Sequence, residues 1–257
     1  MKIATWNVNS IRTRVDRVVD FLTRHDIDVL AMQEIKCKPE QFPVAAFEAA
    51  GYQVFAHGLN QWNGVAFASK MPAEDIEVGF PEMPHFKDVA EARAIGATFD
   101  GVRIWSLYVP HGRSLDDPHY AYKLEWLDRL AASAAEWAQD PDAQIALVGD
   151  FNIAPLDTDV WDMAEFEGGT HVSASERQAF EAFEQIGYTD PVRELIPTGY
   201  TYWDYQQLRF PKNEGMRIDF ILGTESFVER VKSAEIVREE RKGEAPSDHV
   251  PVVVTLS

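Results

Sequence analysis

Asn7 and Asn9 stand at the end of a β-prone run from Lys2 to Val8, Glu34 closes a second apolar run, and Tyr108 ends a third. Asp150 and Asn152 follow the apolar residues from Ile145, Asp219 lies within another run, and Asp248 and His249 precede the last. The ends of buried strands hold side chains rigidly yet leave them open to solvent, so these positions suit a reactive site. Carboxylates and amides without a cysteine cluster offer hard oxygen ligands, which suit magnesium or manganese better than zinc. Metal, carboxylate and histidine together are what hydrolysis of a phosphate ester demands, because the leaving oxygen and the crowded phosphorus both gather negative charge. A carboxylate free of metal duty can deprotonate the attacking water, an amide can orient it, and a carboxylate-paired imidazolium can stabilise the phosphoryl oxygens.

Taken singly, each residue also has a structural explanation. Asn7 and Asn9 suit a turn after a strand, Asp150 after Gly149 suits an Asx turn, and Asp248 suits the cap of the turn before Val250. Glu34 can solvate the loop of Lys36 and Lys38, Tyr108 can pack in a strand, and a histidine such as His249 is often structural.

The elements that must position these groups follow from periodicity. Val15, Val18, Val19 and Leu22 recur at helical spacing between the first run and Asp28 to Gln33, a β-α-β unit, and Lys36 to Pro43 reads as a loop. Gln53 to Ala56 and Gly64 to Ser69 read as strands, and Asp100-Gly101 joins Arg93–Phe99 to Val102–Val109 as an antiparallel hairpin. Leu124, Leu127, Leu130 and Ala131 form the apolar stripe of a helix from Asp117 to Ala138. A shorter helix runs from Ser175 to Ile186, with Ser173 or Ser175 as cap and Gly187 as stop, and Arg217–Leu222, Ala234–Val237 and Val250–Leu256 are β-prone. Alternation along a strand places Asn7 with Asn9 on one face, and Asp150 with Asn152 if the strand runs that far.

A 257-residue chain with 46% hydrophobic content supports a large core and argues against disorder, and its length suits either a single two-layer body or two closely packed halves. The lone Cys37 excludes an internal disulfide and favours a reducing compartment. Asn7 and Asn9 interrupt any secretory apolar stretch, and no run is apolar enough to span a membrane, so a soluble cytoplasmic protein is expected. The net charge of −18 repels polyanions at long range and weighs against nucleic acid, although a few cations and a metal on one face reverse the sign locally.

The ordered set carries a resemblance. T-W-N-V-N at Thr5–Asn9, Q-E at Gln33–Glu34, Y-V-P at Tyr108–Pro110, G-D-F-N-I-A-P at Gly149–Pro155, R-I-D at Arg217–Asp219 and S-D-H at Ser247–His249 occur in the order of the exonuclease III family of DNA repair nucleases, across nearly the whole chain. The resemblance implies one domain over residues 1–257 with an α/β fold, a four-layer α/β sandwich of two packed mixed sheets flanked by helices. It implies that Glu34 is the principal ligand of Mg2+ (or Mn2+), with Asn7, Asn9 and Asp248 near the cation directly or through water. Asp150 would activate the water, Asn152 orient it, Asp219 pair with His249, and Tyr108 contact the phosphate. The implied substrate is double-stranded DNA carrying abasic sites or 3′ ends, attacked by water at phosphorus to leave a 3′-hydroxyl, with the protein acting as a monomer.

Tyr202, Trp203, Met216 and Ile218 match the family's pocket region, where an extruded sugar without a base would fit. Arg12, Arg14, Lys36, Arg113, Lys123 and Arg217 lie near motif loops and are candidate contacts to the DNA backbone. Two positions depart from the family pattern. His111 stands where an asparagine is usual, which would alter a phosphate contact or make it pH-dependent, and His171 stands where some relatives carry a small residue. A ring at 171 is expected to obstruct an internal abasic sugar while leaving a frayed 3′ end accessible. The competing readings are a phosphoesterase of the same fold acting on RNA tails, inositol phosphates or sphingolipid head groups, and a non-catalytic nucleic-acid binding module.

Overall fold

The computed structural model describes residues 1–257. It begins with β1 (Lys2–Asn7), α1 (Ile11–Arg24) and β2 (Val29–Gln33), and β1 and β2 are parallel. The short α2 (Val44–Ala49) leads to the antiparallel pair β3 (Gln53–His57) and β4 (Val65–Ser69). β5 (Glu74–Val78), β6 (Ala94–Phe99) and β7 (Val102–Tyr108) form an antiparallel ladder. The turn between β6 and β7 has φ of 48° at Asp100 and 79° at Gly101, the two positive values that a tight hairpin of right-handed twist demands.

Next, α3 (Pro118–Trp137), capped by the Asp117 side chain, returns the chain to β8 (Ile145–Asp150), parallel to β7. α4 (Met163–Phe166), α5 (Ala174–Gln185), α6 (Pro191–Leu195) and α7 (Arg209–Lys212) precede β9 (Asp219–Gly223), and α8 (Glu225–Val228), β10 (Val231–Ile236) and β11 (Val252–Leu256) follow. Ser173, not Ser175, caps α5, in a capping box closed by Glu176.

The strands form two sheets, ordered β10-β11-β1-β2-β4-β3 and β5-β6-β7-β8-β9. Period-two alternation gives each central strand two apolar faces, and three apolar clusters result. One, with Ile3, Val29, Phe67, Ile104, Val148 and Ile221, lies between the sheets. A second packs Trp6, Leu30 and Ala66 against Phe21 and Leu22 of α1 and Phe47 of α2, and a third packs Trp105, Leu147 and Phe220 against Trp126 and Leu130 of α3 and Phe183 of α5. Three interfaces separate four layers, as expected from the resemblance. No helix is long and apolar enough to cross a membrane.

The reading from sequence omitted the short helices α4, α6, α7 and α8, of four or five residues each, and also α2 and β5. α2 is short and buries only Phe47, and every residue of β5 (Glu-Asp-Ile-Glu-Val) is exposed at a sheet edge, so neither carries an apolar period. The topology also gathers the motifs. The carboxyl ends of β1, β2, β7 and β8 and the amino ends of the antiparallel β9 and β11 meet at one rim of the sandwich.

Candidate active site

Asn7 is the last residue of β1 and is fully buried. Its Nδ2 donates to Glu34 Oε1 at 2.7 Å and to Asp150 Oδ2 at 3.0 Å, while its Oδ1 accepts the Asn9 backbone N–H at 3.0 Å. Asn7 therefore turns its nitrogen to the carboxylates and spends its oxygen on the turn. Asn9 Nδ2 donates to Asp248 Oδ1 at 3.0 Å, and its Oδ1 accepts from Lys36. Asn9, Glu34 and Asn152 have φ of 42°, 51° and 51°, so turns past the strand ends, not alternation, bring Asn9 and Asn152 into place. Asp150 Oδ1 accepts the Asn152 N–H at 2.9 Å: the Asx turn exists, and it frees Oδ2 to face the site. The preceding Gly149 is required by close approach, since at its φ of 146° an added Cβ would lie 1.9 Å from the Leu107 carbonyl of β7.

Asp150 and Asp219 are register partners in β8 and β9. Between them stands His249, its Nδ1 2.8 Å from Asp219 Oδ2 and its Nε2 3.7 Å from Asp150 Oδ2, while its backbone carbonyl accepts Trp6 Nε1–H at 3.0 Å. Burial alone would strip the imidazole of its proton, but Asp219 and Asp150 outweigh burial and push its pKa up to about 10. Burial, reinforced by Asp219 and Glu34 and opposed by the His249 charge, pushes Asp150 up to about 7. Burial also disfavours the Glu34 carboxylate, yet Lys36 at 3.0 Å, the Asn7 amide and His249 more than compensate and hold it below its ordinary value. One rim thus holds an anionic carboxylate, a carboxyl poised near neutrality and an imidazolium.

Glu34, Tyr108, Asp150, Asn152, Asp248 and His249 line a cleft of about 130 Å3, walled by His111, His171, Tyr202, Met216 and Ile218. The Tyr108 ring rests against the Arg93 guanidinium, 4.7 Å from its centroid, and burial with the Glu34 charge raises its hydroxyl pKa. His111 Nδ1 accepts the Arg113 N–H at 3.0 Å, and burial, reinforced by the nearby Lys123 ammonium, lowers its pKa. The neutral ring therefore keeps its proton on Nε2, a donor as an asparagine amide would be. His171, at φ 77°, stacks edge-on against His111 with centroids 4.7 Å apart and sets Nε2 3.3 Å from Asn152 Oδ1. Tyr202 packs on the His249 ring at 4.9 Å.

Three expected contacts are corrected. Trp203 does not line the cleft: it points opposite its neighbour Tyr202, is buried, and packs on Phe210 and Tyr200. Lys123 and Arg217 are not surface cations. Both side chains are buried, Lys123 on Glu176 and Arg217 on Asp190 and the Ile196 carbonyl. Arg12, bonded to the Lys36 carbonyl, and Arg113, 3.7 Å from Asp117, remain at the exposed rim, where Arg14 donates to Asn9 O and Tyr205.

Comparisons with known proteins agree with this fold. The profile of the Endonuclease/Exonuclease/phosphatase family matches residues 4–249. The chain belongs to this family. It is 30% identical to exodeoxyribonuclease III of Haemophilus influenzae over 98% of both chains, and 28% identical to an exodeoxyribonuclease of Bacillus subtilis over 100% of both. The structure superposes on the 3′ phosphatase NExo from Neisseria bound to a product DNA hairpin, with a TM-score of 0.94, 36% identity, and coverage of 100% of this chain and 99% of the other. An AP endonuclease from Archaeoglobus fulgidus gives a TM-score of 0.93 at 34% identity, covering 100% and 99%.

A member of this family with these side chains can hold a divalent cation. Ligand atoms of Glu34, Asp150 and His249 lie within 4.8 Å of one another. The imidazolium cannot ligate, which leaves carboxylate oxygens, and the four carboxylates Glu34, Asp150, Asp219 and Asp248 form ion pairs with only two cations, Lys36 and His249. An oxygen donor set with excess negative charge fits a hard ion. The reading from sequence missed Arg93 and Glu176 and took the buried Lys123 for a surface contact. The signal for Lys123 was present: it occupies the stripe of Tyr122, Trp126 and Leu127, where a solvated lysine has no place.

Proposed function

We propose that this protein is a DNA repair phosphodiesterase of the exonuclease III type, dependent on a divalent cation, which hydrolyses phosphate esters at abasic sites and 3′ ends of double-stranded DNA to leave a 3′-hydroxyl. The observation that carries the reading is the placement of Asp150 Oδ2, 3.0 Å from the Asn7 amide and 3.7 Å from the His249 imidazolium. Asp150 accepts a proton from the attacking water, and Asn152, whose backbone is fixed on Asp150, orients that water. His249, held by Asp219, and the Tyr108 hydroxyl donate to the phosphoryl oxygens as charge builds on them. Glu34, with Asp248 and the Asn7 and Asn9 amides around it, would hold magnesium or manganese, which neutralises phosphate charge. Tyr202, Met216 and Ile218 offer the apolar wall for the sugar, and the buried His171 ring narrows the cleft, favouring 3′-end processing over internal incision. Arg12 and Arg113 at the rim counter the long-range repulsion of the acidic surface.

The test is a panel of abasic, 3′-phosphate, 3′-recessed and single-stranded substrates, assayed with magnesium and again with chelator. Magnesium-dependent release from duplex DNA is expected. Turnover of an inositol phosphate without turnover of any DNA, or hydrolysis that persists in chelator, overturns the reading. Asp150→Asn is expected to lower turnover by about 10²–10⁴-fold while DNA affinity is retained.

A further inference from the structure

Lys123 and Glu176 form an ion pair whose side chains are both 0% exposed, beneath the floor of the cleft. The Lys123 ammonium spends its protons on Glu176 Oε1, the Asn152 carbonyl at 2.6 Å and the His111 carbonyl at 3.2 Å, so none is left for a nucleic acid. Glu176 Oε1 also accepts from Thr170 Oγ1 and from the His171 N–H at 3.0 Å, and Oε2 accepts from Ser173 N and Oγ at 3.2 and 2.6 Å. The bonds end on three separate loops, after β7, after β8 and before α5, and these carry His111, Asn152 and His171. His171 is held at a positive φ that needs such external support. Gly112, at φ 89°, makes room for the pair: a Cβ there would meet Thr170 Oγ1 at 2.9 Å and Lys123 Cδ at 3.2 Å.

A buried ion pair contributes little net stability against an apolar pair of similar volume, because desolvation offsets attraction, so its value here lies in geometry. We propose that Lys123 and Glu176 are positioning residues, which fix the Asn152 amide and the His111–His171 wall relative to Asp150 and thereby set the preference between internal abasic sites and 3′ ends. The inference rests on the DNA-hydrolysing reading above.

The experiment compares the parent with Lys123→Met on a 3′-phosphate duplex and on a duplex with an internal abasic analogue, after near-UV circular dichroism has verified folding. Lys123→Met is expected to lower kcat on the 3′-phosphate by about 10- to 100-fold with little change in KM, the scale of effect expected when reacting groups are displaced by about an ångström. The ratio of abasic to 3′-phosphate cleavage is expected to rise at least about fivefold, whereas a loss of folded molecules alone would lower both activities equally. Thr170→Val, which removes one hydroxyl donor and unburies no charge, must move the same ratio in the same direction and serves where Lys123→Met does not fold. An active parent with the ratio unmoved in the folded variants overturns this inference alone. A parent inactive on every DNA substrate overturns the functional reading and this inference with it.

Discussion

Replacing Asp219 by asparagine keeps the shape of the His249 partner and removes its charge. The rise of His249 from 6.5 to about 10 corresponds to roughly 5 kcal/mol in favour of the imidazolium. Two carboxylates supply it against the opposing effect of burial, Asp219 at 2.8 Å with a hydrogen bond and Asp150 at 3.7 Å. Because burial opposes the shift, the carboxylates together supply more than this net amount, and the nearer, hydrogen-bonded Asp219 supplies more than half of it, at least about 3 kcal/mol, so Asp219→Asn should bring the histidine to a midpoint of about 8 or below. The sign is fixed by the direction of the shift: a histidine raised in the folded state is charged below its folded pKa and loses that charge, and the stability that goes with it, as pH rises through it. Titration of the imidazole carbon resonances by NMR in metal-free protein measures this directly. The parent ring should remain charged through pH 9, whereas the variant should be at least half deprotonated by about pH 8, with activity on a 3′-phosphate failing earlier on the alkaline side. A variant midpoint still above about 9.5 would refute the assignment of Asp219 as the group that holds His249 charged.

Glu34→Ala should raise the magnesium concentration needed for half-maximal activity by about tenfold or more, because it removes an anionic oxygen donor; an unchanged titration shows that the ion is held elsewhere. His171→Gly, which also relieves the positive φ, should raise internal abasic cleavage relative to 3′-phosphate release by about tenfold, and an unchanged ratio rejects a steric role for the ring. His119 accepts the Gly112 N–H on Nδ1 at 3.0 Å, and burial pushes its pKa down to about 4. A depressed histidine contributes stability that is present above 6.5 and lost as pH falls towards 4, by up to about 3 kcal/mol. Urea midpoints at pH 7 and pH 4.5 should therefore differ less in His119→Gln than in the parent, and equal differences refute the claim.

The catalytic set was legible because its members sit at strand ends, where an apolar run stops at an asparagine or a carboxylate: Asn7, Glu34, Asp150. The turn geometry was not. Asn9 and Asn152 enter the site through left-handed residues, and a period of two says nothing about a chain that has left the strand. The Tyr202–Trp203 pair shows the reverse case. Opposite faces for adjacent extended residues follow from alternation alone, and only one of the two rings lines the cleft.

Charge was the least readable property. Lys123 and Arg217 count as cations in any sum over the sequence, yet their partners Glu176 and Asp190 stand 53 and 27 residues away and become neighbours only when α5 packs on α3 and α6 on β9. Whether a charged side chain faces solvent or a buried counterion depends on which elements share a layer. Apolar periodicity is a local property of the chain and determined the buried strands and the longer helices. The site's pKa values, the wall of the cleft and the Lys123–Glu176 pair beneath it depend on distances between residues far apart in sequence, which the packing of the layers decides.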